Sequence, residues 1–275
     1  MIGHMVFSFL SSCQEFNIIA LTGSRKFNNQ IKILDVRDKD LLDSYIKLNK
    51  PEIVINCIGL LIEDSKSNIK DSVFLNAYLP HYLKELGLIY NFKLIHISTD
   101  CVFSGQKKSS YVEDDLKDGE SVYAKTKGLG EIIDDTNLTF RTSVIGPELN
   151  PDGGELFNWF MNQKQEIFGY INAYWSGISS IELAIAIKWA INNNITGLYN
   201  LTNGKKINKY ELLELFAKYT KKNIIINPIK TRYSDKSFMD TRKLIDYNIP
   251  SYDSMVKDIV NYITKNKSFY PHYSI

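Results

Sequence analysis

The sequence predicts an α/β protein built on a doubly wound parallel sheet, with a small C-terminal lobe beside it. Short β-branched runs alternate with helical patterns over the first two-thirds of the chain, which is typical of parallel strands joined by crossover helices. The run at 52–57 has continuous apolar character, as expected for a strand buried on both faces, and the run at 93–98 is predicted to be another buried strand. The stretch after residue 204 differs from this pattern and, with 147–177, is predicted to form the lobe.

Each element follows from its local pattern, taken in chain order. Helical spacing of apolar residues predicts helices at 5–12, 41–48, 71–86, 123–134, 181–192, 208–221 and 252–265. β-Branched runs predict strands at 17–21, 31–34, 52–57, 93–98, 138–144, 198–201 and 223–227. The resulting division gives a main domain at 1–146 and 178–204 and a lobe at 147–177 and 205–275.

Composition narrows the possible classes of protein. The 275 residues carry a formal net charge of +2, which gives no overall field that would favour nucleic acid or a membrane surface. Three cysteines, Cys13, Cys57 and Cys101, are widely spaced and odd in number, which argues against a disulfide framework and fits a reducing cytoplasm. The four histidines show no metal-ligand spacing, and no apolar run is long enough to span a bilayer.

The start of the chain departs from the usual pattern of doubly wound folds. Those that bind nucleotides open with a strand, a glycine-rich loop and a helix, and the loop brings backbone N–H groups to a pyrophosphate. Here Met1 and Ile2 lead directly into a helical pattern, and Gly3 stands where the last glycine of such a loop would stand. We therefore expect the first strand and the loop to be missing; the alternative is that Gly3 is simply a small helix residue.

The main chemical signal combines Thr99, Tyr123 and Lys127. Tyr123 and Lys127 lie one helical turn apart, on the same face of the predicted helix. Thr99 closes a predicted buried strand, and open α/β sheets bind ligands at that edge. A Tyr-x-x-x-Lys pair alone is a weak signal, since an exposed helix start or a threonine capping a turn would look the same. The three residues in this order favour a catalytic set.

Three segments resemble the extended short-chain dehydrogenase/reductases, and within them the dTDP-4-dehydrorhamnose reductase branch. They read STDCVFSG at 98–105, YVEDD at 111–115 and YAKTKGLGE at 123–131. The resemblance implies a Rossmann-like fold in which 1–146 and 178–204 bind NAD(P)H and the lobe binds substrate. One departure is Cys101, which replaces the tyrosine usual in the branch. Another is the turn after Gly59, which differs from the usual stretch, so the sugar could differ from the branch's 4-keto-rhamnose.

The resemblance implies that Tyr123 donates a proton while hydride reaches a carbonyl carbon, and that Thr99 binds the developing oxyanion. A free phenol has a pKa near ~10, so it needs help to ionise. An ammonium group about 4 Å away contributes on the order of 4 kcal/mol at an effective dielectric constant near 20. We therefore expect Lys127 to lower the pKa of Tyr123 toward neutral pH, and to hold the ribose of the cofactor as well.

The same resemblance implies a set of cofactor residues, which comprises Gly3, Arg25, Asp35, Val36, Cys57, Ile58, Gly59, Asn76, Tyr123 and Lys127. NADPH is preferred over NADH because no acidic residue follows the predicted strand at 17–21, where it would bind a ribose 2′-hydroxyl. Arg25 could face a 2′-phosphate there or remain a solvated loop residue. Cys57 could equally be a small core residue, and Asn76 could steady the strand ends in place of touching the ligand.

On the substrate side, the resemblance implies a nucleotide-sugar bound by Val102, Asn158, Trp175 and Arg242. Trp159 is expected in the core between lobe and sheet, and Trp175 could join it there. Arg242 could bind a diphosphate or serve a surface ion pair. The preferred function is reduction of a 4-keto group on a nucleotide-linked 6-deoxysugar in polysaccharide biosynthesis. The alternatives are an epimerase or dehydratase on the same fold and a non-catalytic NADP-binding regulatory subunit. Neither nucleic acid nor membrane is an expected partner, and a homodimer is one assembly left open.

Overall fold

In the computed structural model, which describes residues 1–23, 29, 31–242 and 247–275, strands and helices alternate as predicted. The strands are β1 (Ala20–Thr22), β2 (Ile31–Ile33), β3 (Ile53–Asn56), β4 (Lys93–Thr99), β5 (Leu138–Thr142), β6 (Val144–Ile145), β7 (Glu166–Tyr170), β8 (Ala173–Trp175), β9 (Ile178–Ser179), β10 (Gly197–Asn200), β11 (Ile207–Asn208), β12 (Ile225–Ile229) and β13 (Ser234–Asp235). The helices are α1 (Ile2–Ser11), α2 (Lys39–Asn49), α3 (Ile62–Ser67), α4 (Ile69–Ser72), α5 (Leu79–Tyr90), α6 (Val122–Leu129), α7 (Leu156–Asn162), α8 (Ser180–Asn192), α9 (Lys209–Thr220) and α10 (Tyr252–Lys265).

The main sheet is parallel and is divided into two parts. One part has the strand order β10–β5–β4–β3, and the other pairs β1 with β2. Among the described residues, β1 and β3 therefore each pair along one edge only. Helix α1 begins at Ile2, so no strand or glycine-rich loop comes before it in the described part of the chain.

Strand β4 lies inside the larger part and is buried on both faces. Ile95 and Ile97 point into a core that includes Val6 of α1 and Leu183 of α8. Leu94 points into a second core, with residues of α2 and α5. Because neighbouring side chains of a strand point to opposite faces, helices must cover the sheet on both sides. The doubly wound arrangement predicted from the sequence is confirmed.

The predicted helix at 71–86 is interrupted by a π-helical turn at Val73–Tyr78, between α4 and α5. The end of α6 passes very close to the backbone of this π-helical turn. A Cβ atom added to Gly130 would lie 2.0 Å from the carbonyl oxygen of Asn76, so only glycine permits this approach. Gly130 thereby allows the helix that carries Tyr123 to sit against the π turn.

The lobe contains short elements that the sequence did not reveal. β8 pairs with β11 on one side and β13 on the other, while β7 pairs with β12 in parallel. Phe157, Phe216 and Met255 belong to the same core as β4 and α8, so the lobe and the sheet share one apolar interior. The boundary between main domain and lobe at 146/147 stays a prediction. Within the described ranges, none of the helices is long and apolar enough to cross a bilayer.

Candidate active site

Thr99 and Tyr123 meet at the carboxyl edge of the sheet. Thr99 is the last residue of β4, and its Oγ1 accepts a hydrogen bond of 3.2 Å from the backbone N–H of Cys101. Tyr123 lies in the first turn of α6, which starts there because the side chain of Ser121 caps the N–H of Ala124 at 3.1 Å. The side chain of Thr99 lies close enough to the hydroxyl of Tyr123 to lower its pKa, while the Thr99 hydroxyl donates to Asp100 Oδ1 at 3.2 Å. The tertiary structure thus brings together two of the three predicted catalytic residues directly.

Lys127 follows one turn later on the same helix and points into the sheet. Its Nζ donates a 2.6 Å hydrogen bond to the carbonyl oxygen of Ile97, and the residue is buried. Burial lowers the pKa of Lys127 to about 8, while the nearby carboxylate of Glu131 opposes this decrease. The ammonium group is therefore held against β4 and exchanges its proton close to physiological pH.

The expectation that Lys127 lowers the pKa of Tyr123 is wrong for this structure. Burial raises the pKa of Tyr123 above that of a free tyrosine, the neighbouring Cys101 adds to this, and the hydrogen bond with Thr99 opposes it. Lys127 is not among the groups that shift the pKa of Tyr123, and its Nζ donates to the carbonyl of Ile97 instead. Tyr123 is consequently a neutral phenol, the form that can donate a proton.

A cleft opens beside this set, between the ends of β3 and β4. Cys57, Gly59, Ile97, Tyr123 and Lys127 are among its lining residues. A Cβ atom on Gly59 would lie 3.0 Å from Asn76 Oδ1 and 3.9 Å from Lys127 Nζ, so glycine keeps this part of the cleft open. Within the described residues, the first turn of α1 has no capping side chain, which leaves its N–H groups available for a phosphate. The cleft thus fits the nicotinamide and phosphate chemistry expected of a dinucleotide.

Asn76 shapes this cleft without lining it. The residue is fully buried, and its Oδ1 accepts from the N–H of Leu60 at 2.9 Å while its Nδ2 donates to the carbonyl of Leu60 at 3.1 Å. Asn56 fixes the same turn by accepting from the N–H of Ile58 at 3.0 Å. Asn76 therefore steadies the strand end, which is the second of the two roles weighed for it from the sequence.

The remaining predicted cofactor residues are dispersed. Gly3 packs over β3, since a Cβ atom there would meet Cys57 Cβ at an ordinary 3.7 Å. Asp35 follows β2 and is held by the guanidinium of Arg37 at 2.7 Å, while Val36 is buried. Burial raises the pKa of the Cys57 thiol to about 12, so the thiol is uncharged. Arg25 lies outside the described residues.

Three of the predicted substrate residues are buried inside the protein and make contacts there. Asn158 is fully buried, and its amide donates to the carbonyls of Pro151 and Gly153 at 3.0 and 2.6 Å. Val102 and Trp175 are also buried, at 1% and 3% exposure. Trp159, expected in the core, is 38% exposed instead. These assignments were made from position in the sequence, which does not reveal whether a side chain faces the cleft.

Arg242 is already paired in this structure. Its guanidinium donates to Asp114 at 2.7 Å and to the carbonyl of Leu198 at 3.0 Å. This arrangement corresponds to the surface ion pair, the second role considered for Arg242 from the sequence. Its role toward a diphosphate stays a prediction.

A buried ion pair supports the catalytic set and was missed from the sequence. Arg141 on β5 forms a bidentate pair with Glu131 at 2.8 Å, and Ser98 of β4 donates to the same carboxylate at 2.7 Å. Burial raises and Arg141 lowers the pKa of Glu131, with a net decrease. Glu131 is the last residue of the motif at 123–131, so this motif could have identified it from the sequence.

The lobe also contributes charged side chains that were not predicted. Lys209, Lys236 and Glu155 lie near Asp100 and Cys101, close enough to affect one another's protonation. No sequence signal indicates them, because they come from three separate segments of the chain. Among the described residues, no group of three or more His, Cys, Asp or Glu side chains could hold a metal ion.

Parallel strands, a cleft at their carboxyl edge and the Thr99–Tyr123 contact define a Rossmann-type α/β protein with a ligand site at the usual edge of the sheet. The family model for the RmlD substrate binding domain matches residues 3–166, and the chain belongs to this family.

Individual relatives agree with this assignment. A dTDP-4-dehydrorhamnose reductase from Aggregatibacter actinomycetemcomitans is 26% identical over 218 residues, which cover 72% of this chain and 73% of that protein. The solved structure of dTDP-4-dehydrorhamnose reductase from Bacillus anthracis in complex with NADP superposes with a TM-score of 0.74 at 19% identity, over 83% of this chain and 87% of that one. UDP-glucose 4-epimerase from Thermotoga maritima, solved with UDP-glucose, gives a TM-score of 0.77 at 17% identity over 96% of both chains. At these identities, the solved structures establish the fold alone.

Proposed function

We propose that this protein is a short-chain dehydrogenase/reductase that uses NADPH to reduce a 4-keto group on a nucleotide-linked 6-deoxysugar. The observation that carries the proposal is the meeting of Tyr123 and Lys127 in the lining of an open cleft, with the side chain of Thr99 next to Tyr123. Membership of the RmlD substrate binding domain family and the reductase named among the relatives support the same reaction. We place the reaction in nucleotide-sugar biosynthesis and the protein in the cytoplasm, which suits its three free thiols.

The residues of this chain have distinct tasks in the proposed reaction. NADPH, when bound, supplies a hydride to the carbonyl carbon. Thr99 and Tyr123 donate hydrogen bonds to the carbonyl oxygen, and Tyr123 transfers its proton to that oxygen as the C–O double bond becomes single. The products are an alcohol, the oxidised cofactor and a tyrosinate that takes a proton from solvent. The ammonium group of Lys127, which donates to the carbonyl of Ile97 beside the cleft, offers further N–H donors to the cofactor ribose.

An epimerase or dehydratase is the second candidate, since the epimerase from Thermotoga maritima has the same fold. Such enzymes keep and return the hydride, so they consume no cofactor overall. A non-catalytic NADP-binding subunit would bind the cofactor and show no turnover at all.

Turnover with a defined substrate separates these functions. The purified chain is mixed with dTDP-4-dehydro-6-deoxyglucose or its UDP equivalent and excess NADPH, and NADPH absorbance and sugar products are followed together. We expect one NADPH consumed per sugar reduced. Conversion of sugar without net NADPH consumption would favour the epimerase or dehydratase, and NADPH binding without any conversion would favour the non-catalytic subunit.

A further inference from the structure

We propose that His96 is a positioning residue for the cofactor, because it fixes the side-chain amide of Asn56, which in turn holds the backbone turn that lines the cleft. This inference rests on the proposed function, since it assigns a residue that acts on the binding of NADPH. His96 is completely buried in β4, and among the described residues its ring nitrogen Nε2 has no hydrogen-bonding partner. Its other ring nitrogen, Nδ1, lies 3.2 Å from Asn56 Nδ2. A buried donor without a partner is unfavourable, so packing of the core alone does not account for a histidine at this position.

The register of the sheet puts the side chains of Asn56 and His96 next to each other. Asn56 is the last residue of β3, and it pairs with His96 of β4 in parallel register. Ile55 and Ile95 pair one residue earlier and face the core that the sheet shares with the lobe. Neighbouring side chains of a strand point to opposite faces, so Asn56 and His96 lie together on the other face, at the carboxyl end of β3.

The hydrogen bonds determine which way the Asn56 amide points. Its Oδ1 accepts from the backbone N–H of Ile58 at 3.0 Å. A backbone N–H can only donate, so Nδ2 is the half of the amide that meets His96. Nδ1 of His96 is consequently the acceptor, and the proton of the neutral ring is on Nε2. A flipped amide would set its NH₂ group against the N–H of Ile58 and its oxygen against the lone pair of Nδ1, so the ring selects one orientation.

The surroundings of His96 keep its ring neutral, as this arrangement requires. Burial lowers the pKa of His96 well below its usual range, and the nearby Lys127 and His81 add to this decrease. A protonated ring would carry a hydrogen on Nδ1 and could no longer accept from Asn56. Nδ1 therefore stays an acceptor for Asn56 at physiological pH.

Two amides hold the turn, and they differ in what fixes them. The amide of Asn76 binds both the N–H and the carbonyl oxygen of Leu60, which sets its orientation without further help. Among the described residues, the amide of Asn56 has the N–H of Ile58 as its one backbone partner, and His96 supplies its second contact. Ile58 and Leu60 both line the cleft proposed for the cofactor. His96 is thus the group on which one side of this turn depends.

Three substitutions separate the contact at Nδ1 from the burial of the ring. His96→Asn places an amide oxygen near the position of Nδ1, where it can still accept from Asn56. His96→Gln places its polar group near Nε2 instead, and His96→Leu has no polar group at all. His81→Leu is the matched control, since His81 is exposed and bonds to the carbonyl of Leu129 at the end of α6.

Hydrogen exchange of the Ile58 amide in the cofactor-free chain measures the turn directly. We expect exchange about tenfold faster in His96→Leu and His96→Gln, and protection restored in His96→Asn. Fluorescence titration should show NADPH bound about fivefold more weakly by the Leu and Gln variants, with kcat at saturating NADPH unchanged because Thr99 and Tyr123 are intact. His81→Leu should match the unmodified chain in each measurement, and nitrogen-15 spectra should show the Nε2–H form of His96.

Equal exchange of the Ile58 amide in all variants, or a His96→Asn variant that behaves like His96→Gln, overturns the inference. Thermal melting identifies a variant that has merely unfolded. The tautomer of His96 in the unmodified chain then decides, since a proton on Nδ1 excludes acceptance from Asn56. A chain that binds no NADPH, yet exchanges Ile58 as expected, would disprove the proposed function and retain the action of His96 on the turn. A chain that binds NADPH equally well in all variants would disprove the positioning role and retain the proposed function.

Discussion

Arg141 and Glu131 form a bidentate ion pair with both N–O distances at 2.8 Å, and both side chains are almost completely buried. The pair connects β5 to Glu131, the second residue after α6, and the Oγ of Ser98 joins it from β4 at 2.7 Å. Lys117 reaches the same carboxylate at 3.2 Å and the carbonyl of Gly128 at 2.5 Å. The relative position of Thr99 and Tyr123 therefore depends on a charged group that neither residue touches.

Replacing Arg141 with methionine should destabilise the protein strongly. The substitution keeps an apolar stem but leaves Glu131 as a buried carboxylate whose main partner is gone, which costs about 3–5 kcal/mol. Urea unfolding followed by circular dichroism measures the change in the free energy of unfolding. Arg37→Met is the matched control, since Arg37 binds Asp35 with half of its side chain exposed, and a much smaller loss is expected there. Equal losses in the two variants would contradict this account of the buried pair.

Activity should fall as the pH rises through about 8. The pKa of Lys127 is lowered to about 8 by burial, so its ammonium group, present below that pH, is lost above it. Glu131 raises the pKa of Lys127, and Glu131→Gln should therefore move this alkaline limb to lower pH. The measurement is kcat/KM for keto-sugar reduction as a function of pH.

Glu113→Gln provides the comparison for that pH profile. Glu113 is equally buried and bonds to Asn200 and Thr241 in the same network, but it has no influence on the protonation of Lys127. The variant should lose stability without moving the alkaline limb. A limb that stays in place in Glu131→Gln, or moves equally in Glu113→Gln, would show that the charge of Glu131 does not act on Lys127.

Tyr123→Phe should abolish reduction and leave NADPH affinity nearly unchanged. The substitution removes the hydroxyl that donates the proton and keeps the ring that packs at the start of α6. Single-turnover measurements of NADPH oxidation, with fluorescence titration of NADPH binding beside them, separate the two effects. Turnover that persists at the original rate would exclude Tyr123 as the proton donor.

Gly130→Ala should damage the site through packing alone. The added methyl group would lie 2.0 Å from the carbonyl oxygen of Asn76, so α6 or the π turn must shift, at a cost of about 3 kcal/mol. Because Asn76 holds the turn at Leu60, we also expect weaker cofactor binding. Gly154→Ala has nothing within 4 Å of the added atom and should change stability by no more than about 0.5 kcal/mol. Thermal melting of both variants checks the difference.

The sequence by itself determined the parallel doubly wound sheet, most of its elements and the candidate catalytic set. Strand β4 illustrates why, since a short β-branched run predicted to be buried is typical of a parallel sheet that helices cover on both sides. Thr99, Tyr123 and Lys127 were recognisable because a helix turn and a strand end are local geometry. Asn76 was proposed from the family resemblance, as a helix residue that could steady the strand ends.

Only the tertiary structure decided where the charges lie. The direction of Lys127, toward Ile97 and away from the hydroxyl of Tyr123, depends on the depth at which α6 packs against β4. The pair of Arg141 with Glu131, and the convergence of Lys209 with Lys236, join segments distant in the chain. The protonation of a side chain depends on its burial and on the charged groups that long-range contacts bring near it, and neither can be derived from residue spacing along the chain.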